Sequence, residues 1–386
     1  MPLPTPQSNS TVRRTFKYRI YPTASQAVEL ERQLAFCCDL YNAALQQRRD
    51  AWRLGQRVSR YDQCRGLTEI SQAGMLGGMA VAAARDPLAR LERAFQAFFR
   101  RVKAGQTPGY PRFRSRARYD SLAWAERQGA QIRDHRLRLQ GVGSVRVRWH
   151  REIPEEAVVR TITVKRSAGR WYACFSLVLA LSDPLPEAPP VGIDVGIKTF
   201  ATLSNGEQIE GPRAYRNAQR ELRVAQRRVS RRRKGSARRK KAVQILARKQ
   251  EHVRNVRRDH AHKTAHDVVQ RFGLIAVEDL NMRGLARSML AKDVHDQGWA
   301  EFVSILTDKA EWAGREVVKV DPRNTSQVCS DCGAIVRKDL SVRTHVCGCG
   351  YVADRDVNAA RNILQRAVGT RPSGANGWGE EARAVA

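Results

Sequence analysis

The stretch CSDCGAIVRKDLSVRTHVCGCGYVADRDVNAARNIL, from Cys329 to Leu364, holds three signals in a fixed order. Cys329-x2-Cys332 is followed, after a short intervening segment, by Cys347-x-Cys349, and a helix-like run from Val357 to Leu364 follows two aspartates, Asp354 and Asp356. Four thiolates in two knuckles give a closed tetrahedral zinc site, structural rather than catalytic. Half of the chain's eight cysteines fall between Cys329 and Cys349, which speaks against four buried thiols without a metal. The second pair is one residue tighter than the usual spacing. Gly348 allows both sulfurs to turn inward, and His345 is the alternative fourth ligand.

Upstream, Val191-Gly192-Ile193-Asp194-Val195-Gly196 and Leu274-Ile275-Ala276-Val277-Glu278 are short apolar runs carrying an acid. The second reads as a buried central strand. Asn205-Gly206 signals a hairpin, Phe302, Ile305, Leu306 and Ala310 repeat at helical spacing, and Val317–Val320 is a further strand. Strands alternating with helices predict an α/β sheet. A carboxylate in a core strand costs several kcal/mol, roughly, unless compensated. Asp194, Glu278 and Asp356 converging would repel one another without a cation. Two Mg²⁺ ions shared by three carboxylates would explain that cost and supply phosphodiester hydrolysis. Taken singly, a strand-end Glu or a helix-capping Asp has a commoner structural explanation, and spacing alone does not show convergence.

Charge points the same way. The chain has 69 Lys and Arg against 38 Asp and Glu, a net charge of +31, which a small-molecule enzyme has no use for. Residues 213–258 hold 19 Lys and Arg with two Glu. The densest part carries Arg231, Arg232, Arg233, Lys234, Arg238, Arg239, Lys240 and Lys241, with Gly235-Ser236 breaking two helices into a hairpin. A solvated face normally intersperses both signs; this one does not, so it predicts salt-dependent phosphate-backbone binding. Arg112, Arg114, Arg116 and Arg118, interleaved with Phe113 and Tyr119, form a second basic patch where stacking could add to charge; its bland alternative is an ordinary basic loop.

In the N-terminal half, Phe16, Tyr18 and Ile20 alternate with polar residues as in a half-buried strand. Thr23 with Gln26 fits a capping box, opening a helix with Leu30, Leu34, Cys37, Tyr41 and Leu45 on one face. A second helix is expected from near Asp86-Pro87, carrying Leu88, Leu91, Phe95, Phe98 and Val102. From about residue 130 the period becomes two, and Ser167-Ala168-Gly169 reads as a turn, together predicting a small antiparallel barrel completed by the N-terminal strand. Pro184, Pro186, Pro189 and Pro190 mark a linker. No apolar run approaches the length a membrane span needs, and the first residues lack a signal peptide's apolar core. A cytosolic chain with reduced or metal-bound cysteines is expected.

Together these motifs resemble TnpB, the transposon-encoded RNA-guided nuclease family ancestral to compact type V CRISPR effectors. Val191–Gly196 resembles its first RuvC motif, Ile275–Leu280 its second, Val320–Gly333 the approach to its zinc ribbon and Asp354–Ile363 its third. Tyr18–Thr23 and Gly109–Phe113 also fit, and the likeness runs from about residue 14 to 367. The resemblance implies a multidomain α+β protein: a helical recognition domain over 23–104, a wedge β-barrel over 14–22 and 105–186, and an RNase H-like RuvC α/β nuclease domain over 187–325 and 353–367 with the basic hairpin at 213–272. A zinc ribbon is inserted at 326–352, with loose tails at 1–13 and 368–386. It further implies a guide RNA from the protein's own element, a target double-stranded DNA with a short adjacent motif, and cleavage at one RuvC site by a monomeric protein in the ribonucleoprotein, cytoplasmic and nucleoid-associated when on DNA. Carried over residue by residue, Asp194, Glu278 and Asp356 are the catalytic acids, with Asp354 the runner-up for the third.

Three rival readings have distinct marks. A nuclease-inactive RNA-guided repressor is expected to lose catalytic acids, and all three stand here. A transposase acting directly on element ends does not need this order of motifs. A basic RNA-binding protein of ribosomal type explains the +31 charge but not the acids embedded in apolar strands.

Overall fold

The computed structural model describes residues 11–125, 128–180, 185–281, 284, 296–339 and 341–369. The chain divides into two compact units, one up to Ala180 and one from Leu181. None of the helices described is long and apolar enough to cross a membrane.

In the first unit, Thr23 opens α1 (Ala24–Arg53) through the expected box: its Oγ1 accepts from the Gln26 N–H at 3.3 Å, and Gln26 Oε1 accepts from the Thr23 N–H at 3.0 Å. The stripe Leu30, Leu34, Cys37, Tyr41 and Leu45 is buried along its whole length. A short helix the pattern did not reveal, α2 (Arg60–Gln72), follows a second box, Ser59 with Asp62. The next helix, α3 (Val81–Lys103), starts earlier than Asp86-Pro87 and carries Pro87 inside it. An interior proline forfeits a helix hydrogen bond, but Ala83, Ala84, Leu88 and Leu91 are all buried here, and that burial carries the helix through. Val102, expected on the apolar face, is half exposed.

The sheet of this unit has seven antiparallel strands: β1 (Thr11–Tyr21), β2 (Ser121–Ala125), β3 (Ala130–Arg133), β4 (Arg136–Leu139), β5 (Gly143–Arg148), β6 (Val158–Ser167) and β7 (Arg170–Ala180). Their order is β2-β6-β7-β1-β5-β4-β3. The N-terminal strand thus lies mid-sheet and begins at Thr11, so that Thr11–Arg13, expected in a tail, pair with Val178–Ala180. The outermost strands, β2 and β3, are consecutive in sequence, but no ladder joins them among the described residues; the sheet is near to a barrel without closing as one. At the β6–β7 turn Ala168 and Gly169 both take positive φ, +48° and +73°, the geometry of a tight hairpin.

In the second unit a five-stranded sheet has the order β10-β9-β8-β11-β12, from β8 (Val191–Asp194), β9 (Ala201–Leu203), β10 (Gln208–Ile209), β11 (Leu274–Glu278) and β12 (Glu316–Val320). β8, β11 and β12 are parallel; β9 and β10 run antiparallel through the Asn205-Gly206 hairpin. Because strand side chains alternate, β11 serves two layers. Ile275 and Val277 pack in one cluster with Val268 of α5 (Ala237–Arg271) and Phe302 and Leu306 of α6 (Trp299–Trp312). Leu274 and Ala276 pack with Ile363 and Ala367 of α7 (Arg355–Gly369). That last helix extends two residues past the expected end of the nuclease domain at 367.

The basic segment forms an antiparallel hairpin of α4 (Ala214–Ser230) and α5, turned by Gly235 at φ +84° and capped by Ser236. Leu222 and Val253 are buried between the two helices. The first turn of α4 has no cap of its own, since Arg213 precedes it at φ +45°; the buried Asp296 carboxylate accepts the N–H groups of Tyr215 at 2.7 Å and Arg216 at 3.2 Å instead.

Candidate active site and metal centre

Gly192 explains how α7 comes so near the sheet. A Cβ there would lie 2.0 Å from the Ala360 carbonyl oxygen and 2.8 Å from the Leu364 nitrogen, so helix backbone rests directly on strand backbone. Asp194 shares the parity of Gly192, and Glu278 that of Leu274 and Ala276, so both carboxylates belong to the face carrying α7. Val277 pairs with Ile193, which sets Glu278 and Asp194 side by side at the carboxyl ends of parallel neighbours. Asp356 lies in the first turn of α7. A Cβ on Gly196 would be 4.0 Å from its Oδ2, so the loop after β8 also runs past this group.

Among the described residues only the four cysteines have ligand atoms grouped closely enough to hold a metal, and of the three acids only Asp194 registers both of the others. Burial, then the Glu278 and Asp356 carboxylates, push Asp194 well above the ordinary carboxylate range. Burial also raises Glu278, against a hydrogen bond donated by Thr325 Oγ1 at 2.5 Å and the charge of Arg366. Asp356 is raised by burial and by Asp354, against Arg343, Arg355 and Lys198; the Arg343 guanidinium stands 3.8 Å from its Oδ1. Asp354 has separate work: its Oδ1 accepts the N–H groups of Asp356 at 2.8 Å and Val357 at 3.4 Å, capping α7. A cavity of about 340 Å³ opens beside Glu278, lined by Asp279, Ser304, Asp308 and Lys319 among others.

The four cysteines are brought together. Their sulfurs all lie within 4.8 Å of one another, with Cys329–Cys349 at 3.8 Å and Cys332–Cys347 at 3.5 Å. Sulfurs tetrahedrally placed about 2.3 Å from one zinc stand about 3.8 Å apart, so the donor set fits that ion. Cys347 is held down to about 7 by a backbone hydrogen bond from Cys349, whereas Cys349 is pushed up to about 12. Four thiols this close resist ionising together unless a cation joins them. His345 stands outside the sulfur cluster; it is fully buried on β13 (Thr344–Val346), which pairs with β14 (Val352–Asp354), and its Nδ1 meets Lys338 Nζ.

Residues that sequence reasoning passed over tie the two centres together. Asn358 and Asn362, one turn apart on α7 and both buried, grip the Thr325–Ser330 turn. Asn358 accepts from the Ser330 N–H at 2.9 Å and donates to the Val328 carbonyl at 2.8 Å; Asn362 donates to the carbonyls of Thr325 and Val328 at 2.8 and 2.7 Å. Two amides at i and i+4 amid Ala359, Ala360 and Ile363 were the available signal, because a buried amide needs partners.

Among the basic residues, Arg231, Arg233, Lys234, Arg238, Lys240 and Lys241 are exposed at the hairpin tip, and Arg232 is half-buried. Arg239 is turned inward, its Nη1 donating to the Val229 and Arg232 carbonyls at 2.7 and 3.0 Å. In the second patch Arg112 is exposed, Arg114 lies over the Tyr41 ring, and Arg116 forms a two-pronged pair with Asp39. Phe113 is exposed, but Tyr119 is 2% exposed and takes no part in a surface.

Three family models match in order along the chain: a helix-turn-helix domain of IS605 OrfB at residues 10–57, IS605 OrfB "Probable transposase" at 178–289, and "Cas12f1-like, TNB domain" at 299–363. Residues 10–57 contain a strand and one long helix here, not two helices about a turn. The chain is 38% identical over 366 residues to the "Putative RNA-guided DNA endonuclease" of Streptomyces pristinaespiralis, covering 92% of this chain and 89% of that protein. It is 30% identical over 374 residues to "Putative RNA-guided DNA endonuclease InsQ" of Escherichia coli (strain K12), covering 91% of each. In fold it is similar to the Cas12f1 chain of a solved Cas12f1-sgRNA-target DNA complex, with a TM-score of 0.59 at 15% identity over 92% of this chain and 99% of that one. With such likeness along nearly the whole of both chains, and with the family models in order, this chain belongs to the TnpB (IS605 OrfB) family.

Proposed function

We propose that this protein is a transposon-associated RNA-guided DNA endonuclease whose catalytic acids are Asp194, Glu278 and Asp356. The observation that carries this reading is the placement of Asp194 and Glu278 side by side at the carboxyl ends of β8 and β11, with Asp356 in the first turn of the helix that packs on that face. Relatives named as RNA-guided DNA endonucleases and the Cas12f1 fold neighbour support it. Asp194, Glu278 and Asp356 would hold Mg²⁺, which when bound supplies water activation and stabilisation of the leaving oxygen for phosphodiester hydrolysis. Thr325 Oγ1 holds one oxygen of Glu278. Asp354 fixes the first turn of α7, and with it the Asp356 backbone. Cys329, Cys332, Cys347 and Cys349 would hold a structural zinc.

The exposed tip of the α4–α5 hairpin, Arg231–Lys234 with Arg238, Lys240 and Lys241, suits the phosphate backbone of RNA or of a guide–target heteroduplex. Arg112 and Arg114 join that role, whereas Arg239 serves the hairpin itself and Arg116 is first engaged by Asp39. The residues of 23–104 form the recognition domain, the near-barrel sheet the wedge, and the segment from 187 the RuvC nuclease with its ribbon. The partners are a guide RNA from the same element and duplex DNA beside a short motif, bound by one copy of the protein in the cytoplasm.

The test is purification from a host carrying the gene with its downstream flank, sequencing of the co-purified RNA, and challenge of a randomised-motif plasmid library in Mg²⁺. Guide-dependent cuts beside a fixed motif, lost in Asp194→Ala with binding retained, are expected. Guided binding without cleavage by the unaltered protein would replace this reading with that of a repressor.

A further inference from the structure

Residues 93–118, which run from within α3 into the segment before β2, contain eight Lys and Arg and no acid. Among them stand aromatic rings that the core does not absorb. Phe99 is 60% exposed, Phe113 49% and Tyr110 45%. They are not scattered singly. Phe95, buried at the base, stacks on Phe99 at 6.2 Å and meets Tyr110 edge-on at 5.7 Å, and Phe98 meets both Phe99 and Tyr110 edge-on at 5.2 and 5.4 Å. Two arginines of α1 lie against these rings: the Arg48 guanidinium, paired with Glu92 at 2.9 Å, is 5.2 Å over Phe95, and that of Arg49 is 5.3 Å over Phe113.

We propose that Phe99, Tyr110 and Phe113 form a stacking platform for unpaired bases of an RNA strand, with the exposed Arg100, Arg101, Lys103 and Arg112 engaging its phosphates. The inference rests on the nucleic-acid reading above and deepens it by naming a base-contacting site. Rings anchored on a buried neighbour hold their orientation in advance, so little entropy is lost when a base stacks. A second copy of this chain would bring the same cationic rim against itself, and a peptide has no polyanionic spine to match it. RNA is favoured over duplex DNA because its loops and ends offer bases that are already unstacked, whereas bases of a duplex must first be pulled out.

The experiment uses the full-length protein, short single-stranded oligoadenylate RNA, the same RNA with abasic positions, and the matching DNA, compared by fluorescence anisotropy at elevated salt to suppress contacts made to phosphate alone. Phe99→Leu and Phe113→Leu keep apolar bulk at exposed positions, and a thermal melt checks that each variant folds. The base-bearing RNA is expected to bind more tightly than the abasic RNA, by roughly five- to a hundred-fold per stacked base, and each variant should erase one such step while leaving abasic binding unchanged. A 2-aminopurine placed in the RNA should be quenched by the unaltered protein and less so by the variants. Equal, tight binding of intact and abasic RNA would overturn the platform and leave RNA binding standing. Variant effects confined to DNA would overturn the choice of RNA, and loss of self-association in the variants would make the face a protein interface. Loss of the base-bearing RNA at elevated salt with binding kept at low salt would overturn the platform, and failure to bind any of the strands at low salt would instead overturn the nucleic-acid reading itself.

Discussion

Gly192→Ala tests the geometry on which the proposed active site depends. The added methyl would stand 2.0 Å from the Ala360 oxygen, 2.8 Å from the Leu364 nitrogen and 3.0 Å from the Leu364 Cβ. A carbon in close contact with a carbonyl oxygen ordinarily sits about 3.3 Å away, so α7 and β8 must separate by roughly 1.3 Å. Both obstacles are backbone in regular structure and no side chain can swing aside, which puts the cost at the upper end of overpacking, about 3 kcal/mol. For a unit of this size that lowers the melting temperature by roughly 6–12 °C. The shift falls on the helix that carries Asp356, and a displacement of about 1 Å at a catalytic group can cost about a hundred-fold in rate. Scanning calorimetry and single-turnover cleavage of a guide-matched duplex measure the two effects. Gly369→Ala, at the far end of the same helix, is the control, since nothing lies within 4 Å of a Cβ there. A Gly192→Ala protein that melts within about a degree of the parent and cuts at its rate would refute the placement of α7 on β8.

Asp194→Asn should abolish cleavage, retain guided binding and raise the melting temperature of metal-stripped protein, because it removes a buried charge facing two others. The sign in pH follows: an unfolded aspartate ionises near 3.8 while the folded one ionises well above it, so the metal-stripped parent loses stability as pH rises through that window, and Asp194→Asn flattens the slope in urea titrations at successive pH. Cys347→Ser and Cys349→Ser should each lose bound zinc by elemental analysis, whereas His345→Ala should retain it; zinc loss in His345→Ala alone would refute the four-sulfur assignment. Asp296→Ala should cost about 1–2 kcal/mol and speed amide exchange in the first turn of α4, whose N–H groups it leaves unpaired. Ala168→Gly should stabilise the first unit by about 1 kcal/mol in chemical denaturation, since alanine at φ +48° is strained.

What could be read in the sequence was whatever local periodicity or ligand chemistry imposes. The α1 stripe, the buried run Leu274–Val277, the Asn205-Gly206 turn and the helical break at Gly235-Ser236 each follow from a few neighbouring residues, and each is present. The misjudged features depend on distant partners. Pro87 reads as a helix start because proline favours that place, yet the burial of Ala83 and Ala84 carries α3 through it. Tyr119 looks like one more ring in a basic loop, and only the assembled core shows it buried. Arg239 counts as charge in a composition window, while its guanidinium is spent on two carbonyls of the hairpin. The placement of the three acids was not in the spacing either. It follows once β8 and β11 are known to be parallel neighbours with Ile193 opposite Val277, because parity then places Asp194 and Glu278 on the α7 face.

The same geometry explains why the cysteine cluster sits between Glu278 and Asp356. Asp356 can meet Glu278 only if the chain leaving β12 returns to start α7 at the right height on the sheet, and the stretch from Asp321 to Asp354 is a long connection with little core of its own. Knuckles closed on one metal would shorten that connection, and a closed metal site would contribute folding free energy that the small two-stranded β13–β14 sheet lacks. At the entry to that connection the Thr325–Ser330 turn faces α7, where Asn358 and Asn362 take hold of it. Thr325, at the other end of that turn, reaches Glu278. One hydrogen-bonded chain therefore runs from the helix bearing Asp356 to the strand bearing Glu278. Buried amides are costly unless every partner is in place, so the clamp sets a single register where apolar packing alone would tolerate slip. Asn362→Leu should accordingly keep most of the stability, because it fills the same space, yet lose cleavage by roughly ten-fold or more as Thr325 loses its support. Equal loss of stability and of rate would make the pair mere packing; loss of rate alone, with zinc content unchanged, identifies it as the link that aligns the acids.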